Sequence, residues 1–364
     1  MKSAKRPGVT HALLFTVLVS FVLFAALALR VGATDGFRFE RAIGVRSLYA
    51  NSGLLLPGQP VFPGLGIDGQ FYFFIAQDPF LQNPRTAPAL DNSLRYRRIL
   101  YPLLAWAVSL GHRAWVPYSL MAVNVVACTA TLAACALAAR RAGRSPFTAL
   151  AVAAFPGLWI PMLRDLTEPV QLSLAAWGML LESAGLLFLS SLAKETTAIV
   201  QLGEALRHLA VGRLLPAARN LLLLGVLAGW ALLVSRFVHA NESSLGGHLL
   251  DPPGAPFLEL LRATSMPARY VFLVPAVLLC VLSVVRLVWI RDRFALGAAL
   301  YSLVGLAAGT DTWNDPLAYY RVIALSGVLV FMSWVSANDR AGAAVIVLTV
   351  MSGVIDLAVA VIPT

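Results

Sequence analysis

Long apolar runs separated by short polar or basic stretches set the pattern of this chain. Such runs mark bilayer-crossing helices, each needing roughly 20 mostly apolar residues. The first, His11 to Val31, follows a basic tail with Lys2, Lys5 and Arg6. It is longer than the roughly 7–15 apolar residues of a secretory signal, and no A-x-A site follows. It therefore reads as an uncleaved anchor with a cytoplasmic N-terminus. The mixed polar and aromatic stretch from about Thr34 to Arg98 is too polar to span and forms a first outer loop. Ile99 to Gly111 is too short to cross and reads as a half-buried or interfacial helix. Trp115–Leu137 returns to a basic marker of the inner side, Arg140-Arg141 and Arg144, and Phe147–Leu163 leads out again to Arg164-Asp165 and Glu168-Pro169.

Between Glu168 outside and Arg213 and Arg219 inside, an odd number of crossings is required. One long helix would bury both Lys194 and Glu195, so three short helices near 169–182, 184–193 and 196–210 are the better reading. That choice puts Lys194-Glu195 at the outer end of a hairpin. Further runs cover Leu215–Val238, Tyr270–Ile290, Ala295–Gly309, Val322–Val335 and Ala341–Ile362, with an outer loop from His239 to Arg269. Arg291 and Arg293, then Asp339-Arg340, close the inner ends. The pattern predicts one all-α, polytopic membrane domain over residues 1–364, with about nine to eleven transmembrane helices. Its first loop, about 34–98, is expected to lie in the periplasm and to carry amphipathic interfacial helices. No internal repeat is visible.

Composition sharpens this. The chain is 59% apolar and 13% charged, against about 45–50% and 25% in soluble domains. A soluble multi-domain enzyme and a disordered chain are excluded. The net charge of +10 is scattered between apolar runs rather than gathered on one face, so it encodes topology and not nucleic-acid binding. Cys128, Cys135 and Cys280 sit inside apolar runs without CxxC spacing, which argues against a disulfide framework or structural zinc. His11, His112, His208, His239 and His248 show no metal-ligand spacing, and the sequon at Asn241–Ser243 is a chance-level match.

With this topology the unusual polar residues collect outside: Asp68, Asp78, Arg95, Arg97, Arg98, Arg164, Asp165, Glu168, Lys194, Glu195, Asp315, Tyr320 and Arg321. Glu182, Arg286 and Asp356 do not fit the pattern. Arginines on the translocated side break the positive-inside rule, and an anionic ligand at the outer boundary explains them. Their planar forks suit phosphate. Asp68, flanked by glycine, opens a short helix whose Phe71, Phe74 and Ile75 form one apolar face. It is either a helix N-cap or a general base facing the basic cluster. The arginines at 95–98 anchor the chain at the interface or bind phosphate. Lys194 forms an ion pair with Glu195 or holds a lipid phosphate, and the same choice applies to Arg164 with Asp165 and to Asp315 with Arg321.

Four features resemble the GT-C superfamily of integral-membrane glycosyltransferases. They are the N-in first helix with its long acidic loop, the phrase Asp68-Gly-Gln70-Phe-Tyr72 through Asp78-Pro79 followed by Arg95-Tyr-Arg97-Arg98 and Tyr101 to Trp106, the segment Leu192-Ala-Lys194-Glu195, and Tyr319-Tyr320-Arg321. The motifs cover about 68–106, 192–197 and 311–325. The resemblance implies a multi-pass protein of the bacterial inner membrane that inverts and transfers a sugar from a polyprenyl-phosphate donor to a glycan, lipid or protein hydroxyl in the periplasm. It makes Asp68 the catalytic base. Arg95, Arg97, Arg98, Lys194 and Arg321 would hold the phosphate, and Gln70, Tyr72, Arg164, Asp165, Glu168, Glu195, Asp315 and Tyr320 the sugar or acceptor. The first loop has no Asp-x-Asp or Asp-Glu pair, which leaves a divalent metal open, and no separate soluble domain is expected beyond the last run. A transporter or lipid flippase, a glycan polymerase, and an assembly subunit are the competing classes.

Overall fold

The structure is a computed structural model and describes residues 7–34, 36, 39, 43–63, 68–240, 252, 255, 267–309, 312–313 and 316–337, without the side chains of 7–10, 34, 267–274 and 316–317. The expected last crossing, Ala341–Ile362, lies outside the described residues, as do Asp311, Asp315, Asp339, Arg340, Asp356, His248 and the sequon.

Every regular element among the described residues is helical, and an isolated β-bridge pairs Arg46 with Phe62. The helices are α1 (Pro7–Thr34), α2 (Gly69–Gln77), α3 (Leu94–Arg97), α4 (Leu100–Val108), α5 (Val116–Arg141), α6 (Leu150–Ala153), α7 (Pro156–Leu163) and α8 (Glu168–Leu181). They continue as α9 (Ala184–Ala193), α10 (Ala198–Ala210), α11 (Leu214–Phe237), α12 (Pro267–Ile290), α13 (Arg293–Leu306), α14 (Pro316–Val322) and α15 (Ala324–Ala337).

Among the described residues three stretches are long and apolar enough to cross a bilayer: His11–Ala33 in α1, Arg113–Arg141 around α5, and Leu214–Phe237. The pair α6–α7, bent by 57°, makes a fourth if it is one broken span. Leu14, Phe15 and Leu18 on α1, with Leu222, Leu232 and Phe237 on α11, face outward at 56–71% exposure. Apolar stripes of that size suit lipid rather than water. The three short helices expected between Glu168 and Arg213 are present as α8, α9 and α10. The 14 residues of α8 reach about 21 Å and the 10 of α9 about 15 Å, well short of a ~30 Å hydrocarbon core. By length and composition the described helices supply three or four crossings; the larger expected number would need the part-way helices, α12, α13 and α15 to cross as well, together with Ala341–Ile362, which lies outside the described residues.

The central core joins α5, α7, α8, α13 and α15 through Leu132, Leu158, Leu172, Tyr301, Leu329 and Phe331. Small residues on α5 (Ala134, Cys135, Ala138) are fully or nearly fully buried and admit close neighbours. A second core is built on α2. All nine of its residues are buried, which corrects the expectation of an amphipathic helix lying on the membrane surface. The run Phe71-Tyr72-Phe73-Phe74-Ile75 is apolar on every face, and a helix of that kind must be enclosed on all sides. By contrast α4 does bury one face, with Tyr101 and Ala105, and exposes Leu104 and Val108.

The turns decide which ends of the helices meet. Glu182 adopts a left-handed conformation after α8, and the Ser183 hydroxyl accepts from Leu186 N to cap α9. Asp292 caps α13 by accepting from Ala295 N at 2.6 Å. Consequently α8, α9 and α10 run antiparallel in sequence, with Glu168, Lys194 and Glu195 at one end and Glu182 and His208 at the other.

Candidate functional site

At the end of the bundle that carries the α7–α8 turn, charged side chains from five chain segments converge. Asp68 directly precedes α2, with helical φ −54° and ψ −29°, and its side chain makes no capping bond. Instead Oδ1 lies 2.9 Å from Nη2 of Arg95, and Oδ2 accepts from Nη2 of Arg321 at 2.8 Å. Arg95 on α3 is also gripped by Asp91, four residues earlier in the bend before the helix, through Nε and Nη2 at 2.9 Å each. Its guanidinium lies 4.9 Å over the Phe71 ring. Arg321, near the end of α14, also donates through Nε to Glu168 Oε1 at 3.0 Å. The same Glu168 oxygen accepts from Lys194 Nζ at 2.9 Å. Beside this chain of contacts, Arg98 donates to both oxygens of Glu195 at 2.8 and 2.6 Å, and to the Tyr72 hydroxyl at 3.1 Å.

Four cations (Arg95, Arg98, Lys194, Arg321) thus face four carboxylates (Asp68, Asp91, Glu168, Glu195), and the network is formally neutral. It is also graded in depth: the Glu168 side chain is 0% exposed and that of Asp68 25%. Burial by itself would raise the proton affinity of Asp68, but Arg95 and Arg321 outweigh it and hold the carboxyl well below the usual carboxylate range.

Two glycines bring these elements together. A Cβ on Gly69 would sit 2.4 Å from the Arg164 carbonyl oxygen, so glycine lets the Asp68 turn press against the α7–α8 turn. A Cβ on Gly157 would sit 2.7 Å from the Tyr320 carbonyl, so α7 and α14 meet as closely. Asn124 of α5 holds the α7–α8 turn by donating to Leu166 O at 3.2 Å and to the Tyr101 hydroxyl at 2.9 Å.

Within that turn Asp165 is fully buried, at φ 51°, and neither of its carboxylate oxygens has a hydrogen-bond partner among the described residues. Burial pushes its carboxyl well above the usual range. Glu168 Oε2 is likewise unpartnered.

The expected site residues therefore divide. Asp68, Arg95, Arg98, Glu168, Lys194, Glu195, Arg321 and Tyr72 are brought together. Lys194 and Glu195 do not pair with each other, because successive side chains leave the bend after α9 in different directions and find separate partners. Arg97 is not in the cluster: it donates to Ser235 on α11 at 2.6 Å, since it follows Arg95 by two residues on a helical turn and faces elsewhere. Gln70 is buried and accepts from Arg46 N at 3.2 Å. Tyr320 is buried against Phe155 and Tyr319, and Arg164 contributes its carbonyl at Gly69. Asp315 lies outside the described residues. Asp78, on the loop, accepts from Gln82 N, Asn83 N and the Thr86 hydroxyl and shapes a turn. The residue that sequence reasoning missed is Asp91. Its signal was the four-residue spacing to Arg95.

Among the described residues no group of three or more His, Cys, Asp or Glu is placed to hold a metal ion. Cys128, Cys135 and Cys280 are free and buried. Comparison of the chain with known protein families, with characterised proteins and with solved structures returns no match.

Proposed function

We propose that this protein is a multi-pass glycosyltransferase of the bacterial inner membrane, with a GT-C-type bundle of about nine to eleven crossings and a cytoplasmic N-terminus. It would move a sugar, with inversion, from a polyprenyl-phosphate donor to a hydroxyl acceptor on the periplasmic face. The observation that supports this reading is the ion network: four cations and a partly open carboxylate, Asp68, from distant parts of the chain meet at one end of an apolar bundle. In the reaction the acceptor oxygen attacks the anomeric carbon and gives its proton to Asp68. The bond from that carbon to the phosphate oxygen breaks, and the phosphate leaves with the electron pair. Arg95 and Arg321, with Lys194 and Arg98 behind them, stabilise the negative charge that develops there. Asp165 and Glu168 Oε2 have acceptor capacity to spare for sugar or acceptor hydroxyls.

The bent pair α6–α7 favours a second reading, a transporter or lipid flippase, because broken helices are common around transport sites. Transfer of labelled hexose from polyprenyl phosphate to hydroxyl acceptors, by the purified protein and by Asp68→Asn, separates the two. Turnover by the wild type and none by a folded Asp68→Asn is the expected result. Transfer by both would move the base elsewhere. Transfer by neither, together with measured lipid movement, would replace the enzyme with a transporter.

A further inference from the structure

Held between two guanidiniums, Asp68 is a poor proton acceptor, and the same two guanidiniums are occupied. Both difficulties have one geometric solution. We propose that Asp68 is the resident counter-ion of a phosphate subsite: its carboxylate stands between Arg95 and Arg321 in the place of the donor's phosphate, which displaces it on binding. This rests on the glycosyltransferase reading and adds a ligand-driven exchange at the same site.

Four observations support the exchange. Each Asp68 oxygen contacts a different arginine, 2.9 Å from Arg95 and 2.8 Å from Arg321, so the carboxylate bridges them as a phosphate's oxygens would. Each arginine also has a second carboxylate partner, Arg95 in Asp91 through Nε and Nη2 and Arg321 in Glu168 through Nε, so both keep a partner when Asp68 leaves. Asp68 makes no capping bond to α2, so its side chain can swing away without costing the helix a partner. Finally, at 25% side-chain exposure Asp68 can move into water, whereas Glu168 at 0% cannot.

Charge balance permits the swap. A sugar-phosphate-lipid diester carries one negative charge, the same as the carboxylate it replaces, so Arg95 and Arg321 still hold one anion between them, and the displaced Asp68 carries its own charge toward water. Once free of its arginines, Asp68 regains ordinary carboxylate basicity beside the phosphate it has admitted. The base would therefore become competent only when donor is bound.

An intramolecular competitor lowers apparent affinity by the fraction of time it occupies the site. Removing its charge should tighten phosphate binding while abolishing transfer. The test is binding of polyprenyl phosphate to purified protein in neutral-lipid nanodiscs, for wild type, Asp68→Asn and Asp68→Glu, with neutral polyprenol, inorganic phosphate and phosphatidylglycerol as comparison ligands. The expected result is about tenfold or more tighter binding of polyprenyl phosphate by Asp68→Asn, with Asp68→Glu close to wild type and polyprenol unchanged. Asp68→Ser removes the same charge and gives the same reading should the asparagine variant fail to fold. Equal or weaker binding by the folded neutral variants would overturn the exchange and leave the glycosyltransferase reading standing. An equal gain for phosphatidylglycerol or inorganic phosphate would overturn the assignment to the donor. No selective binding of polyprenyl phosphate by any variant would overturn both.

Discussion

The two ends of the α8–α10 set each carry a cluster of charges, and the clusters are built differently. At the Glu182 end, Glu182 meets Arg213 at 3.0 Å and Arg293 at 2.8 Å, while Glu204 takes Arg207 at 2.9 Å and Arg293 at 3.0 Å. Several of these groups are open to solvent: the Arg213 side chain is 52% exposed and that of Glu182 39%. One pair, Glu204 with Arg207, is a local i,i+3 contact. At the Glu168 end the decisive contacts join residues 253 and 153 positions apart, and Glu168 is wholly buried. Exposed pairs contribute little because water and salt screen them. Buried pairs are costly to assemble and costlier to break singly. The Glu182 end fastens helix termini, and it accounts for Glu182, which matched no sequence pattern. The Glu168 end keeps strong charges in low dielectric, where they can act on an anion.

The sharpest way to break this contrast is to remove one carboxylate from each end. Glu168→Gln strands Lys194 and Arg321 without their shared partner and should cost about 3–5 kcal/mol. Thermal unfolding in detergent would read it as a large fall in Tm or as failure to purify folded protein. Gly69→Ala comes next. Its Cβ would meet the Arg164 carbonyl at 2.4 Å, so Asp68 must shift, and a misplacement near 1 Å can cost about a hundredfold in rate. Turnover of the folded variant at wild-type level would show that the close approach does not position Asp68.

Asp165 offers a smaller effect with a definite sign. Its carboxyl is raised in the folded protein, so the folded state holds a proton that the unfolded state releases above roughly pH 3.9. Its stabilising contribution is complete below that pH and is lost as pH rises toward the raised folded value. Asp165→Asn should flatten the decline of Tm between pH 5 and pH 8, and an unchanged slope would show that Asp165 is not held protonated. The smallest effect belongs to the exposed end, where Glu182→Gln should cost under about 1 kcal/mol and less still in high salt. A loss matching that of Glu168→Gln would erase the distinction between the two ends.

Much of this was legible from the chain. Apolar periodicity placed α1, α5 and α11, and charge placement divided 168–210 into three short helices with Lys194-Glu195 at a bend. Asp68, Arg95, Arg98, Glu168, Lys194 and Arg321 stood out because charges are expensive beside a bilayer. Less legible was the burial of α2: Phe71, Phe74 and Ile75 make one apolar face, but Phe73 makes the opposite face apolar too, and the helix is enclosed on both. Pairings were not legible at all. Sequence proximity suggested Lys194 with Glu195, whereas Lys194 goes to Glu168; Arg321 reaches both Glu168 and Asp68, and Asp315, its expected neighbour, lies outside the described residues.

By itself, the sequence determined that this is an all-helical protein with apolar helices of membrane-crossing length, because helix period and hydrophobicity are local properties of the chain. It also determined which residues carry chemistry, because a charge in an apolar context is conspicuous wherever the fold puts it. Only the tertiary structure decided which charge neutralises which, that Asp68 bridges two arginines instead of capping α2, and that Asp165 is buried without a hydrogen-bond partner among the described residues. Those outcomes depend on how closely α2, α7, α8 and α14 approach. That approach is set by glycines at 69 and 157, whose missing side chains matter only through the atoms that pack against them.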